Sequence, residues 1–255
     1  MIEQVTVAVG RVRDQPTEGQ SQMPTSKLGS SGVQATRAFD LVIFDCDGVL
    51  VDSETIACTA VAKLLTRYGL PCDATEVLGL FLGRSANVLM DHYVHMAKRP
   101  LPLEFAVDWR AELFEAFARE LEAIEGTREV IEALRVPYCV ASSSDPERVE
   151  FVLRKTGLWH LFQRRIFSTS MVANGKPAPD VFLLAASTSG VAPDRCLVIE
   201  DSVSGITAAK AAGMTVYGFN GGSHFDVLDQ THKLVEAGAD RVIGSMGELQ
   251  SQLGQ

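Results

Sequence analysis

The sequence predicts an α/β fold, a parallel sheet with helices on both faces interrupted by an all-helical insertion, on three observations. From Thr127 onward, short apolar runs alternate with stretches of helical periodicity, the pattern of strands joined by crossover helices. Three apolar runs, 41–44, 138–141 and 196–199, stop abruptly in polar clusters. Residues 54–124 contain no convincing strand and so interrupt the alternation.

Residues 1–38 differ from everything after them. The piece 13–34 is rich in Gly, Ser, Gln, Thr and Pro and nearly free of large apolar residues, which predicts disorder, and no function is assigned to it. The run Leu41 to Phe44 then reads as a strand buried on both faces, ending in Asp45, Cys46, Asp47 and Gly48. Carboxylates two residues apart leave an extended strand on one side, so Asp45 and Asp47 are expected to converge beyond the sheet edge. Their repulsion would be relieved by sharing a proton or by binding a divalent cation; taken alone, the same residues also suit an ordinary polar turn.

After Asp52 the period becomes helical. Ser53 or Asp52 can cap a helix over 54–68 with Ile56, Ala60, Val61, Leu64 and Leu65 on one face, and Gly69 ends it. Further helices are predicted over 75–81, 85–96 and 103–123, separated by Gly83 and by 99–102. A helix over 128–134 leads to the strand 138–141, which stops at Ser142, Ser143, Ser144 and Asp145. Pro146 suits the first turn of the next helix, 146–155. A short strand over 165–167, the loop 174–179, a helix to 187, the strand 196–199 with Glu200 and Asp201 at its tip, a helix over 203–212, and strands 215–219 and 241–243 complete the pattern.

In a parallel sheet the strand tips share one edge, where ligands bind. Lys176, between Gly175 and Pro177, can reach that edge. Carboxylates, a hydroxyl, one ammonium and backbone N–H groups together would bind Mg²⁺ and a phosphate. A formal net charge of −9 argues against nucleic acid or an anionic membrane surface as the main partner, so small molecules are expected. Five scattered cysteines without a CxxC pair indicate neither a disulfide framework nor a zinc site and suit a reducing cytoplasm. No apolar run approaches the ~18 residues of a membrane span, and the N-terminus is a poor secretory signal. The five histidines, His92, His95, His160, His224 and His232, show no metal spacing and read as surface or loop positions.

Four segments occur in order: DCDGVLVDS (45–53), ASSS (141–144), GKPAPD (175–180) and VIEDSVSGITAAKAAG (198–213). Together they resemble the haloacid dehalogenase superfamily, in particular subfamily IA, the beta-phosphoglucomutase and CbbY-like phosphatase branch. The resemblance covers residues 39 to about 253. It implies a Rossmann-like core, 39–53 with 125–255, carrying an inserted all-helical cap over 54–124, with hinges near 51–53 and 125–127. The segments 120–126 and 135–139 look similar to bacterial 6-phosphogluconate phosphatases.

By this resemblance Asp45 is the nucleophile that becomes an aspartyl phosphate, and Asp47 protonates the leaving alkoxide and then deprotonates the attacking water. Ser142, Ser143 and Lys176 hold phosphoryl oxygens. Asp45, Asp47 through its carbonyl, Asp201 and Glu200 form the Mg²⁺ site. Arg84, Ser85 and Asn87 in the cap are candidates for reading the substrate, although Arg84 equally suits a surface pair. The expected activity is a Mg²⁺-dependent phosphatase for phosphorylated sugars, sugar acids or sugar alcohols, in a cytoplasmic monomer or weak dimer. A sugar phosphomutase is the alternative, weakened because the places of that enzyme's cap His, cap-loop Arg and second-motif Lys hold Ala57, Ala86 and Asp145. A noncatalytic protein on the same fold is the remote alternative.

Overall fold

The computed structural model describes residues 39–81, 86–98, 100 and 102–253; the stretch 1–38, predicted to be disordered, lies outside them. The strands are β1 (Leu41–Phe44), β2 (Tyr138–Ser142), β3 (Ile166–Ser168), β4 (Cys196–Glu200), β5 (Thr215–Phe219) and β6 (Arg241–Ile243). They form one parallel sheet in the order β3-β2-β1-β4-β5-β6. The winding direction reverses between β1 and β4, which opens a crevice at their carboxyl ends. Within β1, Val42 and Phe44 enter one apolar core while Leu41 and Ile43 enter the other, so the four-residue run is apolar because both faces are covered.

Four helices follow β1: α1 (Glu54–Arg67), α2 (Ala74–Phe81), α3 (Ala86–Ala97) and α4 (Glu104–Glu120). Val61, Leu64 and Leu65 of α1 meet Val77 and Leu78 of α2, Tyr93 of α3 and Phe105 of α4 in a separate apolar cluster. Helix α4 spans two environments, because its later residues Leu113 and Phe117 join the core that includes Val42 and Phe44.

Two local expectations are corrected here. The predicted helix to 123 stops at Glu120, and the chain continues extended so that Ala123 pairs antiparallel with Val51. The Asp52 and Ile124 N–H groups donate to the carbonyls of Glu122 and Leu50, both at 3.0 Å, so the two crossings between sheet and helical block brace each other. Ser53 sits at the N-cap of α1 without capping it, because its hydroxyl is turned to Asp47.

The remaining helices are α5 (Thr127–Ala133), α6 (Pro146–Lys155), α7 (Trp159–Phe162), α8 (Asp180–Ser189), α9 (Val203–Ala211), α10 (His224–Val227), α11 (Thr231–Glu236) and α12 (Met246–Gln252). Asp145 caps α6 by accepting from the Arg148 N–H at 3.0 Å, and Ser202 caps α9 by accepting from that of Gly205 at 3.1 Å. Among the described residues no helix is long and apolar enough to cross a membrane.

Candidate active site

Strand β1 delivers Asp45 to the crevice, and the chain then turns at Gly48. The turn requires glycine twice over. Its φ is +75°, and a Cβ there would stand 1.9 Å from Oδ2 of Asp201 at the tip of β4. The turn also separates the two acids that an extended strand would have aimed together. Asp45 faces β4 and Lys176, whereas Asp47 faces α1 and α6.

On the first side Lys176 is the centre. Its ammonium donates to Asp45 Oδ1 at 2.6 Å, Glu200 Oε1 at 2.7 Å and the Ala141 carbonyl at 2.9 Å, and it lies 4.9 Å from the centre of the Phe182 ring. Burial alone would lower the Lys176 pKa, but the charges of Asp45 and Glu200 outweigh it and hold the side chain protonated. Glu200 Oε2 accepts from the N–H and hydroxyl of Ser202 at 2.8 and 2.9 Å, so both Glu200 oxygens are already engaged. A Cβ on Gly205 would collide with this carboxylate, at 1.7 Å from Oε1, which explains glycine in the first turn of α9.

On the second side Asp47 accepts from Ser53 Oγ at 2.7 Å, Ser144 Oγ at 2.7 Å and Arg148 Nη2 at 2.8 Å. Burial pushes its pKa up, yet the Arg148 charge and the bonds from Ser144, Ser53 and Arg148 prevail, and the carboxyl is held below its ordinary range. The Arg148 guanidinium lies 5.2 Å from the centre of the Phe117 ring of α4, so one side chain touches both the acid and the helical block. Ser142, at the end of β2, is buried and accepts from the Ser144 N–H at 3.0 Å. Ser143 is exposed, and its carbonyl accepts from Thr169 Oγ1 at 3.1 Å.

Asp201 is buried, and its carboxyl is pushed well above the ordinary range by burial first and by Glu200 next. Two close, buried carboxylates, Asp45 and Asp201, are what a hard cation relieves. Among the described residues no three His, Cys, Asp or Glu side chains form a metal cage by themselves. Asp45 and Asp201 are hard oxygen donors, a set that would suit an ion such as Mg²⁺, which completes its shell with carbonyl, water and substrate oxygens.

Of the predicted site residues, Asp45, Asp47, Ser142, Ser143, Lys176, Glu200 and Asp201 all lie at the carboxyl edge. Arg84, Ser85 and the side chain of Asn87 lie outside the described residues. Sequence reasoning missed Arg148 and Ser144, whose partner is 101 and 97 residues away. It also missed Glu54, at the head of α1. Burial, then Asp201 and Asp47, push its carboxyl up to about 7. His224 departs from the surface or loop position that its sequence suggests: it is fully buried, with Nε2 at 3.3 Å from Asp201 Oδ2.

The haloacid dehalogenase-like hydrolase family description matches residues 39–213. The chain is 33% identical over 190 residues to the 6-phosphogluconate phosphatase of Escherichia coli (strain K12), covering 72% of this chain and 84% of that protein. It is 31% identical over 177 residues to the fructose-1-phosphate phosphatase YqaB of the same organism, covering 68% and 92%. A haloacid dehalogenase family hydrolase from Deinococcus radiodurans, solved with bound phosphate and sodium, superimposes with a TM-score of 0.71 at 36% identity, covering 86% of this chain and 96% of that one.

Proposed function

Because the chain belongs to the haloacid dehalogenase-like hydrolase family and is a phosphoric monoester hydrolase, we propose that it cleaves small phosphorylated sugars, sugar acids or sugar alcohols through an aspartyl phosphate on Asp45. The observation that carries this reading is the buried Asp45–Lys176–Glu200 cluster at the tips of β1 and β4. Lys176 holds Asp45 Oδ1, which fixes the carboxylate and leaves Oδ2 to attack phosphorus. Ser142, Ser143 and Lys176 bind the phosphoryl oxygens. Asp47, ionised beside Arg148, takes up a proton with the incoming ester, gives it to the leaving alkoxide and then takes one from the attacking water, with Ser53, Ser144 and Arg148 fixing the direction of its carboxylate. Asp45, Asp201 and the Asp47 carbonyl would hold Mg²⁺, whose charge offsets the repulsion between an anionic nucleophile and an anionic ester. Glu200 supports this set by holding Lys176 and the turn at Ser202.

In this reading residues 54–124 are the cap that closes over the site, with the paired segments at Val51 and Ala123 as its hinge. The position of a mutase's second-motif lysine holds Asp145, which caps α6, and this favours hydrolysis over phosphoryl return. The test is phosphate release with Mg²⁺ across sugar, sugar-acid and alditol phosphates, beside Asp45→Asn. Release that needs both Mg²⁺ and Asp45 is expected. Isomerisation of a hexose 1-phosphate in the presence of its bisphosphate, without net release, would replace the phosphatase by a mutase.

A further inference from the structure

His224 heads α10, after the loop that follows β5. That loop is tied to the base of the helical block, since the N–H and hydroxyl of Ser223 donate to Asp52 Oδ1 at 3.1 and 2.9 Å. The imidazole is fully buried against Phe225, with ring centres 4.4 Å apart, and neither of its nitrogens has a hydrogen-bond partner. Two glycines make room for it. A Cβ on Gly222 would lie 2.6 Å from Cε1 and 2.7 Å from Nδ1, and a Cβ on Gly48 would lie 3.1 Å from Cε1 while striking Asp201 Oδ2. The ring and the Asp201 carboxylate are thus brought together where two side chains have been removed. A buried imidazole with both nitrogens orphaned is unfavourable, and such groups persist where an ion, a water or a functional partner completes them.

Resting on the cation site proposed above, we propose that His224 is a positioning residue for that site: its Nε2–H donates to Oδ2 of Asp201 when the cation is held, turning the other carboxylate oxygen toward the ion. Nε2 already stands 3.3 Å from Oδ2, so a small rotation of either group completes the bond. An imidazole can present an N–H at Nε2, the donor this geometry calls for. A carboxylate fixed in this way keeps one oxygen for the ion, and loss of such outer partners typically weakens metal affinity by ~10–100-fold.

The test measures Mg²⁺ binding by calorimetry, without substrate, for the wild type, Asp201→Asn, His224→Phe and His224→Gln, together with the metal-free melting temperature of each. Expected are binding by the wild type, none by Asp201→Asn, affinity weakened by ~10-fold or more in His224→Phe, and affinity near wild type in His224→Gln, whose amide is again a donor. Melting temperatures near wild type separate positioning from a general loss of packing; if His224→Phe does not fold, His224→Gln is compared with His224→Ala. Equal affinity with and without the imidazole, or a Gln variant as weak as Phe, would overturn the proposal. A ¹⁴N coupling of a directly bound imidazole in the pulsed electron paramagnetic resonance of the Mn²⁺-loaded wild type would overturn it in favour of direct ligation. Failure of the wild type to bind Mg²⁺ or Mn²⁺ would instead refute the cation site, and the proposal with it.

Discussion

The two sides of the turn after β1 place carboxylates two residues apart in contrasting surroundings. Toward β4, Asp45 shares one ammonium with Glu200 and lies close to Asp201, so three buried acids face a single buried cation of the protein. Toward α6, Asp47 is paired with Arg148, whose charge also reaches Glu54, and has two hydroxyl donors besides. The first side is short of positive charge and suits a cation, whose charge would then offset that of a phosphoryl group. The second side is balanced and suits fixing one carboxylate in one direction. The difference teaches that the divergent partners, more than the DxD spacing, assign the two acids different work.

The largest effect that sharpens this contrast is expected for Asp45→Asn, with turnover reduced at least ~10³-fold and fold retained, read by phosphate release and circular dichroism. Turnover within tenfold of wild type would move the nucleophile elsewhere. Lys176→Met should follow, because it strands Asp45 and Glu200 as buried like charges. A loss of roughly 3–5 kcal/mol in urea unfolding is expected, and added Mg²⁺ should recover part of it. Arg148→Gln should lower kcat by ~10²-fold with a smaller stability loss, since Ser53 and Ser144 still hold Asp47. An Arg148→Gln enzyme with wild-type kcat would break the contrast, leaving the ion pair as packing alone. In the helical block, Arg84→Ala should raise KM for sugar phosphates while sparing a small aryl phosphate; equal effects on both would reject a role in reading the substrate. The smallest effect belongs to Arg195→Ala, whose exposed pair with Asp40 is expected to leave thermal melting close to wild type.

Much of this arrangement was legible in the sequence, for reasons particular residues make plain. Leu41 to Phe44 reads as a strand because no polar residue breaks it, and its abrupt end at Asp45 marks the carboxyl edge. Lys176 is legible because the Gly-Lys-Pro loop fixes one charged side chain after a strand. The residues that failed to read did so because their signals are tertiary. Ser53 has the features of an N-cap, but a buried carboxylate competes for its hydroxyl and wins. Leu121 to Ala123 have good helical propensity, yet pairing with Val51 overrides it. Helices α7, α10, α11 and α12 have four to seven residues, too few to display a 3.6-residue period. Arg148 and His224 carry no local pattern at all. Only the fold brings the first to Asp47 and the second to Asp201.

The central claim, that Asp45 is phosphorylated while Asp47 is not, is tested most directly by rapid acid quench during turnover of a ³²P-labelled sugar phosphate, followed by peptide mapping. The account expects acid-stable label on the peptide spanning Asp45 and Asp47, lost in Asp45→Asn and still formed in Asp47→Asn. Turnover with no protein-bound label at any quench time, in an enzyme whose Asp45→Asn variant still releases phosphate, would contradict it.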